Sequence, residues 1–364
     1  MAVADLLEFY STNSLSWEQL SNDAESEFKN LHYGLIHVGL PTIVNIGKEA
    51  LPYIKEDAIP RNYVLCENGD VSFADASEDT SEVAKVIEFT GIGNEKVVSG
   101  LHTIHGRDKQ QKTIIGFKGY LFSSEAFHKQ TRRIAQGSKV FSVSPRNFSE
   151  IFVSIPSKEE QRKIAVLLLL LDERIATQKR LIDKLETLIK GIATVLTNNM
   201  PNTKIAGCLD CHASTLQENQ IATSGNYRVY GASGICGYTD LPEVTNDSIL
   251  IVKDGSGVGT VTYASGEYSV IGTSNYLTAR NGFILRYLYY CLMCFNFTPY
   301  KTGMAIPHIY FKDYGKAKIY CPAIEEQRKI AAALSNIESK IEIERTILQQ
   351  YAMQKQHLLQ QMFI

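Results

Sequence analysis

The sequence has few of the features that mark membrane or secreted proteins. No apolar run approaches the roughly 18 residues of a membrane span, and the first residues lack the basic and then apolar pattern of a secretory signal. The seven cysteines are an odd number in a chain without such a signal, as is typical of reduced intracellular thiols. These absences predict a cytoplasmic protein.

The chain also lacks a strong charge of one sign. Its 37 Lys and Arg residues nearly balance 39 Asp and Glu residues, which gives a formal net charge of −2. A uniformly basic nucleic-acid binder is therefore excluded, and any such role must rest on local segregation of charge. With 364 residues and 44% hydrophobic content, the chain is long enough for two or three globular domains with ordinary cores.

What the sequence does contain is a repeated segment. The stretch Pro156-Ser-Lys-Glu-Glu-Gln-Arg-Lys-Ile-Ala165 returns as Pro322-Ala-Ile-Glu-Glu-Gln-Arg-Lys-Ile-Ala331, and we call the sequence separation of Pro156 and Pro322 the repeat offset. Seven consecutive residues, 159–165, are identical to residues 325–331. Because a proline followed by early glutamates is typical of a helix start, each copy predicts the beginning of a long helix.

A heptad pattern follows each copy in the same phase. Apolar residues alternate at spacings of four and three, as in a coiled-coil seam, and a polar residue interrupts both patterns at the same place, Gln178 and Glu344. The alternative is two unrelated amphipathic helices on separate cores, but the shared phase favours two helices packed on each other about an approximate two-fold axis. The predicted seam consists of Ile164, Leu168, Leu171, Ile175, Gln178, Ile182, Leu185, Ile330, Leu334, Ile337, Ile341, Glu344, Leu348 and Tyr351.

The two repeats divide the chain into four parts. We expect a mixed domain over residues 1–155, a long helix over 156–200, a second mixed domain over 201–321 and a C-terminal long helix over 322–364. Strand candidates between turn residues, such as 63–66, 70–73, 112–115, 248–252 and 257–263, support the two mixed domains. The predicted fold class is α+β, with two mixed α/β domains joined by two long antiparallel coiled-coil helices in pseudo-two-fold symmetry.

Charge is segregated within each mixed domain. Residues 1–80 contain 14 acidic and 4 basic side chains, whereas residues 100–146 contain 9 Lys and Arg and 2 acidic side chains. In the second domain, residues 201–267 contain 7 acidic and 3 basic side chains, and residues 268–320 contain 6 basic side chains and 1 acidic. The plainer interpretation is a solvated charged face.

Basic side chains interleaved with polar ones can also neutralise phosphates and hydrogen-bond base edges, which favours DNA binding. The DNA-contacting residues that we predict from this pattern are Lys112, Arg132, Arg133, Lys139, Lys253, Asn275, Arg280, Lys301 and Thr302.

The layout of two divergent domains, each followed by a Pro-x-x-Glu-x-Gln-x-x-Ile-Ala helix, resembles the specificity subunit of Type I restriction-modification enzymes. The likeness covers essentially the whole chain and rests on Pro156, Glu159, Gln161, Ile164 and Ala165 with their copies in the second repeat. The segments 227–234 and 303–309 are also similar to patterns in the recognition domains of that family. A single copy of the motif would be a weak signal, but two copies in phase are a strong one.

The resemblance implies a subunit without catalysis of its own. Each mixed domain would be a target-recognition domain that reads one half of a bipartite, interrupted DNA target, and the helix pair would set the spacing. Two modification (methyltransferase) subunits would dock on the chain, and restriction subunits would join for cleavage. S-adenosylmethionine and ATP with Mg would be bound by those partners, so no cofactor and no metal is expected in this chain.

Three other interpretations compete with this one. Cys208 and Cys211, with Cys291 and Cys294, form two CxxC pairs typical of structural zinc, but a long intervening segment separates them, unlike the compact zinc-finger spacing. The segment Phe89-Thr-Gly-Ile-Gly93 matches a loop that approaches S-adenosylmethionine in methyltransferases, yet no Asp/Asn-Pro-Pro-aromatic segment accompanies it. A coiled-coil scaffold for protein partners would leave the segregated basic regions unexplained.

Overall fold

The computed structural model describes residues 1–24, 26–148 and 150–363. The chain folds into two units, each with its own core. Unit 1 comprises residues 1–178 and 347–364, and unit 2 comprises residues 179–346. Both long helices therefore contribute one part to each unit, and the predicted limits of the two recognition domains stay a prediction.

Unit 1 has a mixed α and β composition in the part that precedes the first long helix. Its short helices are α1 (Val3–Leu6), α2 (Tyr33–Val38), α3 (Lys118–Leu121), α4 (Glu125–Ile134) and α5 (Pro145–Phe148), with 3₁₀ turns at Trp17–Gln19 and Glu56–Ala58. Its strands are β1 (Glu8–Tyr10), β2 (Leu20–Ser21), β3 (Phe28–Leu31), β4 (Ile43–Asn45), β5 (Tyr53–Ile54), β6 (Val71–Ala74), β7 (Ala76–Ser77), β8 (Val86–Thr90), β9 (Lys96–Ser99), β10 (Thr103–Arg107) and β11 (Phe141–Ser142).

The first long helix is α6 (Lys158–Thr197), and the second is α10 (Ile324–Gln361). Between them, the short helices are α7 (Ile205–Cys208), α8 (Leu285–Met293) and α9 (Phe311–Tyr314), with 3₁₀ turns at Glu218–Gln220 and Thr298–Tyr300. The strands of unit 2 are β12 (Thr203–Lys204), β13 (Leu209–Ala213), β14 (Tyr227–Gly231), β15 (Gly234–Thr239), β16 (Ser248–Val252), β17 (Val261–Ala264), β18 (Tyr268–Val270), β19 (Ser274–Ala279) and β20 (Lys318–Ile319).

The main sheets of the two units have the same strand order. In unit 1 the order is β1-β10-β6-β8 with β4 added at the edge, and in unit 2 it is β13-β19-β16-β17. The pairs that correspond are all antiparallel, and the registers correspond too, because Ala74 pairs with Thr103 as Val252 pairs with Ser274. The central strands β6 and β16 are buried at every position, and all their residues except one serine in each are apolar.

Each unit also has a smaller sheet, of order β2-β5-β3-β9 in unit 1 and β15-β14-β18 in unit 2. Each contains one parallel pair, β3 with β9 and β14 with β18. Two-stranded pairs, β7 with β11 and β12 with β20, complete the sheets formed by the described residues. The mixed α and β composition that the sequence predicts for both regions is confirmed.

The helix pair is antiparallel within each unit. In unit 1, Ala165 and Leu168 near the start of α6 pack in one core with Phe363, just beyond the end of α10, and Lys355 forms an ion pair with Asp172 at 2.6 Å. In unit 2, Arg345 of α10 forms an ion pair with Glu186 of α6 at 2.6 Å. The predicted fold class is therefore confirmed.

The fourteen predicted seam positions are all buried or half-buried, whereas neighbours such as Val166, Leu167 and Leu170 are exposed.

The start of α6 is capped reciprocally, because the Ser157 hydroxyl accepts from the Glu160 N–H and the Glu160 carboxylate accepts from the Ser157 N–H. Among the described residues, none of the helices contains an apolar stretch of the length that a membrane span requires.

Some strand predictions are wrong in detail. Residues 112–115 form a loop that leads into α3 rather than a strand, and residues 63–66 contribute a single bridge, from Leu65 to Val98. Only the last part of 257–263 is a strand, since β17 begins at Val261. The segment from Phe89 to Gly93 ends strand β8 and enters a turn, in which Gly91 has φ +60° and packs against Asn45.

Candidate nucleic-acid interface

The glutamine of the repeat, Gln161 and its copy Gln327, links each sheet region to the start of its long helix through hydrogen bonds. Gln161 and Gln327 are 1% and 2% exposed. The Oε1 atom of Gln161 accepts from the Ile114 N–H at 2.9 Å, and its Nε2 atom donates to the Pro156 carbonyl at 2.9 Å. Gln327 repeats both bonds, with the Ile284 N–H at 3.0 Å and the Pro322 carbonyl at 2.8 Å. These bonds explain physically why glutamine stands at this position in both copies.

A buried tyrosine adds a second link in each unit. Tyr120 of α3 donates to Asp172 at 2.9 Å, and Tyr290 of α8 donates to Glu338 at 2.8 Å. The two acids are again separated by the repeat offset. Burial, followed by the influence of the neighbouring acid, raises the pKa of Tyr120, while burial raises the pKa of Tyr290 to about 12. Both phenols therefore remain protonated donors, and each sheet region is fixed to its helix at two points.

Two loops of the same geometry project from corresponding ends of the main sheets. Loop 1 comprises residues 136–142, in which the N–H groups of Gln136 and Ser142 each donate to the other's carbonyl, at 2.9 and 2.8 Å. Loop 2 comprises residues 302–308, closed by the same two bonds between Thr302 and His308 at 2.9 and 2.7 Å. The two loops are separated by the repeat offset, so the repeat extends upstream of the helix motif.

Each loop is attached to the residue that follows the central strand. The N–H of Val143, after loop 1, donates to the Asp75 carbonyl at 2.9 Å, and the N–H of Ile309, after loop 2, donates to the Lys253 carbonyl at 3.0 Å. Asp75 follows β6 and Lys253 follows β16. The loops thus mark the same end of the two sheets. We call the end that contains Asp75 and loop 1 edge 1, and the end that contains Lys253 and loop 2 edge 2; these names refer to the ends of the strands, not to the outer strands.

Edge 1 carries a row of aromatic and histidine rings in tilted and edge-to-face contact. Trp17 lies 4.4 Å from His32 between ring centroids, His32 lies 4.7 Å from Tyr33, and Tyr33 lies 5.2 Å from His102. His102 is hydrogen-bonded to Asp75 at 3.2 Å. Burial, with a smaller contribution from His102, lowers the pKa of His32, which is therefore neutral at physiological pH. His32 itself is buried, but the exposed rings of Trp17 and His102 can stack on bases or hydrogen-bond their edges.

Edge 2 is built from different side chains. His308 of loop 2 bonds to Asp254 through Nδ1 at 2.7 Å, and the Gly255 N–H donates to the Pro307 carbonyl at 3.0 Å. Lys253 lies beside them and is paired with Asp254 at 3.3 Å. The two edges therefore share a backbone frame and differ in the side chains that they present.

The structure brings five of the nine predicted DNA-contacting residues to the edges. Lys139 is exposed in loop 1, Thr302 begins loop 2 and Lys301 precedes it. Lys253 follows β16 at edge 2, and Asn275 is 8% exposed on β19, opposite Ile251.

The other four predicted residues lie elsewhere in their units. Arg132, which pairs with Glu125, and Arg133 lie on α4, which ends shortly before loop 1. The amine of Lys112 donates to the Asp5 carbonyl at 2.6 Å in the loop beside the start of α6. Arg280 follows the last residue of β19 and bonds to Asp210 at 2.8 Å, at the end of the sheet opposite edge 2.

Sequence reasoning missed several residues at these sites. Trp17, His32, Tyr33 and His102 are separated in the sequence, and only folding places their rings in contact. The two glutamines lay inside the repeat and were noted only as part of the helix motif. The recurrence of Gly137 as Gly303 at the repeat offset was the signal that could have located both loops.

The far end of the unit 1 sheet holds a buried polar group. Asp70 accepts from His105 at 2.8 Å and from the Arg107 Nε at 2.9 Å. Burial acts to raise the pKa of Asp70, but these hydrogen bonds outweigh it and the pKa is lowered. Ser248 stands at the corresponding place before Ile249 of β16, so this cluster distinguishes unit 1 from unit 2.

The cysteine pairs do not assemble into a metal site in the part of the chain that the structure describes. Cys208 ends α7 and Cys211 lies on β13, while Cys291 lies on α8 and Cys294 follows it. Burial raises the pKa of Cys211 to about 11, so this thiol is a neutral side chain. Among the described residues, no group of three or more His, Cys, Asp or Glu side chains is arranged to hold a metal ion.

Two units with the same backbone frame, each fixed to a long helix at two points, define a protein built from two matched halves. Residues 23–187 and 210–351 match the family described as Type I restriction modification DNA specificity domain. The chain belongs to this family, because the matched residues cover well over half of it. The resemblance on which the sequence interpretation rests is confirmed, and the protein is a DNA specificity component of a Type I restriction-modification system. The alternative interpretations are not favoured.

Comparison with solved structures gives the same fold. The S subunit of a Type-I restriction-modification system from M. genitalium matches with a TM-score of 0.60 at 16% identity, over 100% of this chain and 95% of that chain. A chain from a structure on complex assembly and conformational transition of the type I R-M system matches with a TM-score of 0.59 at 15% identity, over 99% of this chain and 95% of that chain. No curated protein sequence matches the chain.

Proposed function

We propose that each unit reads one half of a bipartite, interrupted DNA target, and that the chain itself performs no catalysis. The observation that carries this proposal is the pair of edges, which share a backbone frame at the repeat offset and differ in their side chains. A shared frame suits binding to the same kind of polymer, and different side chains suit different base sequences. The predicted residues Lys139, Lys253, Asn275, Lys301 and Thr302 contribute to contacts at the edges.

The other four predicted residues lie away from the edges. Arg132 and Arg133 precede loop 1 and reach phosphates on its flank, as positioning contacts that carry no sequence information. Lys112 and Arg280 lie at the ends of the sheets opposite the edges and are bonded to Asp5 and Asp210, so the proposal assigns them no contact with the half-sites.

The exposed side of the helix starts is the docking site that we assign to modification subunits. Glu159, Glu160, Arg162 and Lys163 are exposed and identical to their copies at 325, 326, 328 and 329. Packing does not explain identity at exposed positions, and local ion pairs such as Lys163 with Glu159 contribute little. One kind of partner that makes the same contacts at each helix start explains it, so we propose that two copies of one modification subunit bind, one at each start.

The partners supply the chemistry in this proposal. Modification subunits bind S-adenosylmethionine, and restriction subunits bind ATP with Mg, while this chain supplies recognition and assembly in the cytoplasm. The helix pair sets the distance between the two halves of the target. Helices of 40 and 38 residues correspond to rods of roughly 60 Å at about 1.5 Å per residue.

A binding experiment tests the proposal. The complex with its modification subunits is titrated onto a duplex that carries the methylated site mapped in the source cells, and onto duplexes in which either half is scrambled. We expect tight binding only to the intact duplex, with an affinity that falls steeply as salt rises because counterions are released from phosphates. Absent or salt-independent binding, or equal binding to all three duplexes, would contradict the proposal and favour a protein scaffold.

A further inference from the structure

The tips of loops 1 and 2 expose apolar side chains at matching places. Val140 is 52% exposed in loop 1, and Ile306, its counterpart at the repeat offset, is 58% exposed in loop 2. Met304, in the same loop, is fully exposed at 105%. Exposed apolar side chains are individually common on protein surfaces. Here, however, they recur on the same short element in both units, which points to a shared use.

Each tip is held in a fixed shape by one glycine. Gly137 and Gly303 have φ angles of +138° and +89°, which L side chains rarely adopt. A Cβ atom at Gly137 would lie 1.9 Å from the Val140 carbonyl oxygen, and one at Gly303 would lie 2.3 Å from the Ile306 carbonyl oxygen. The backbone therefore folds tightly back on itself, and a partner would meet a preformed tip rather than order a flexible loop.

The surroundings of both tips are basic in sequence. Residues 129–142 contain Lys129, Arg132, Arg133 and Lys139 and no acidic residue. Residues 296–308 contain Lys301 and likewise no acidic residue. An apolar tip with cationic flanks suits a groove of DNA, where cations face phosphates and apolar groups face the bases.

The dimensions and the side chains favour the major groove. Two backbone strands lie about 4.8 Å apart, and the major groove, about 12 Å wide, admits a two-stranded ribbon. Apolar side chains there contact the C5-methyl group of thymine. Loop 1 offers Ser138, Lys139 and Val140, whereas loop 2 offers Met304, Ala305 and Ile306. The tips therefore share their frame and differ in what they can read.

We propose that loops 1 and 2 enter the major groove, one in each half of the target, and place Val140 and Met304 with Ile306 against thymine methyl groups. This inference rests on the proposed function, because it assigns the base-reading element of each unit. It also identifies specificity-determining residues that charge alone did not indicate.

The test uses the complex with modification subunits and the duplex that carries the mapped methylated site. One variant carries Val140→Ser, a second carries Met304→Ser with Ile306→Ser, and the control carries Leu241→Ser, at a residue that is 82% exposed outside both loops. We expect each loop variant to bind about tenfold more weakly, from the lost apolar contact, and the control to bind as the wild type does. Thermal unfolding of each variant shows that the exposed substitutions leave the fold intact.

Uracil replacement of thymine identifies the contact itself. Removing the methyl groups from one half-site should weaken wild-type binding, and it should leave unchanged the binding of the variant whose loop reads that half. If the loop variants bind as tightly as the wild type, or if uracil weakens the wild type and the variants equally, the inference is wrong. Wild-type binding to the intact duplex, and not to duplexes in which either half is scrambled, shows that the proposed function holds even then.

Discussion

Gln161 and Gln327 each connect three parts of the chain through one side chain. Each is buried, accepts from the backbone N–H before a short helix and donates to the carbonyl of the proline that begins the motif. A leucine would fill a similar volume but could make neither bond. Buried backbone groups are almost always paired. The glutamine side chain is therefore needed as the hydrogen-bond partner of this backbone N–H and this carbonyl.

We expect Gln327→Leu to lower the free energy of unfolding by about 2–4 kcal/mol, because the Ile284 N–H and the Pro322 carbonyl would each lose a partner. Gln161→Leu should have a similar effect. Denaturant unfolding followed by circular dichroism measures the change. The matched control is Gln350→Leu at an exposed position of α10, with an expected change within about 0.5 kcal/mol. A loss in the glutamine variants no larger than in the control would contradict the anchoring role.

The contacts of individual residues were harder to predict from the sequence than the helices or the domains. The repeat located both glutamines, but their partners, Ile114 and Ile284, come from loops whose approach depends on the tertiary fold. The ring row from Trp17 to His102 joins segments that are distant in the sequence and gives no local signal. Basic residues interleaved with polar ones led to the prediction of Lys139, Lys301 and Thr302, which lie at or beside the loops, but this pattern did not separate them from Lys112 or Arg280.

At the scale of elements, the helices were predictable and the short strands only partly so. A heptad pattern extends over many turns, so single exceptions such as Gln178 do not hide the period. The run 112–115 has β-branched residues but belongs to the loop that Gln161 ties to the helix, so tertiary contacts outweighed local propensity. The buried strands β6 and β16 were found because they lie between turn residues.

The two long helices differ at the proposed docking face. Val166, Leu167 and Leu170 are 50%, 45% and 55% exposed on α6, whereas the equivalent positions on α10 carry Ala332, Ala333 and Asn336. The charged residues around them are the same in both helices. A partner would therefore make the same polar contacts at both helices and would bury much more apolar surface on α6.

We expect the first modification subunit to bind at α6 more tightly than the second binds at α10. Burying a leucine contributes about 1.5–3 kcal/mol, so Leu167→Ala with Leu170→Ala should weaken the tighter step at least tenfold and leave the weaker step unchanged. Native mass spectrometry of a titration resolves the two steps. Val195→Ala, at an apolar residue of α6 that is 77% exposed outside this face, is the control. Two equal affinities in the wild type, insensitive to the leucine substitutions, would contradict the asymmetry.

At the scale of the whole molecule, the packing of the chain assigns one part of each long helix to each unit. The unit limits fall after Gln178 on α6 and after Thr346 on α10. The glutamine and tyrosine links lie well inside these limits, so residues added at the limits leave the anchoring of each recognition region unchanged.

Adding one heptad after Gln178 and one after Thr346 keeps the phase of the seam and lengthens both helices. At about 1.5 Å per residue the seven residues add about 10 Å, which corresponds to about three base pairs of duplex at about 3.4 Å each. We expect the methylated site to keep both half-sequences and to gain about three base pairs between them, as mapped by sequencing of methylated DNA. Adding four residues to α6 alone shifts one half of the seam out of phase and should abolish specific methylation. If the complex with both heptads instead methylates the original site with its original gap, the helices do not determine the spacing.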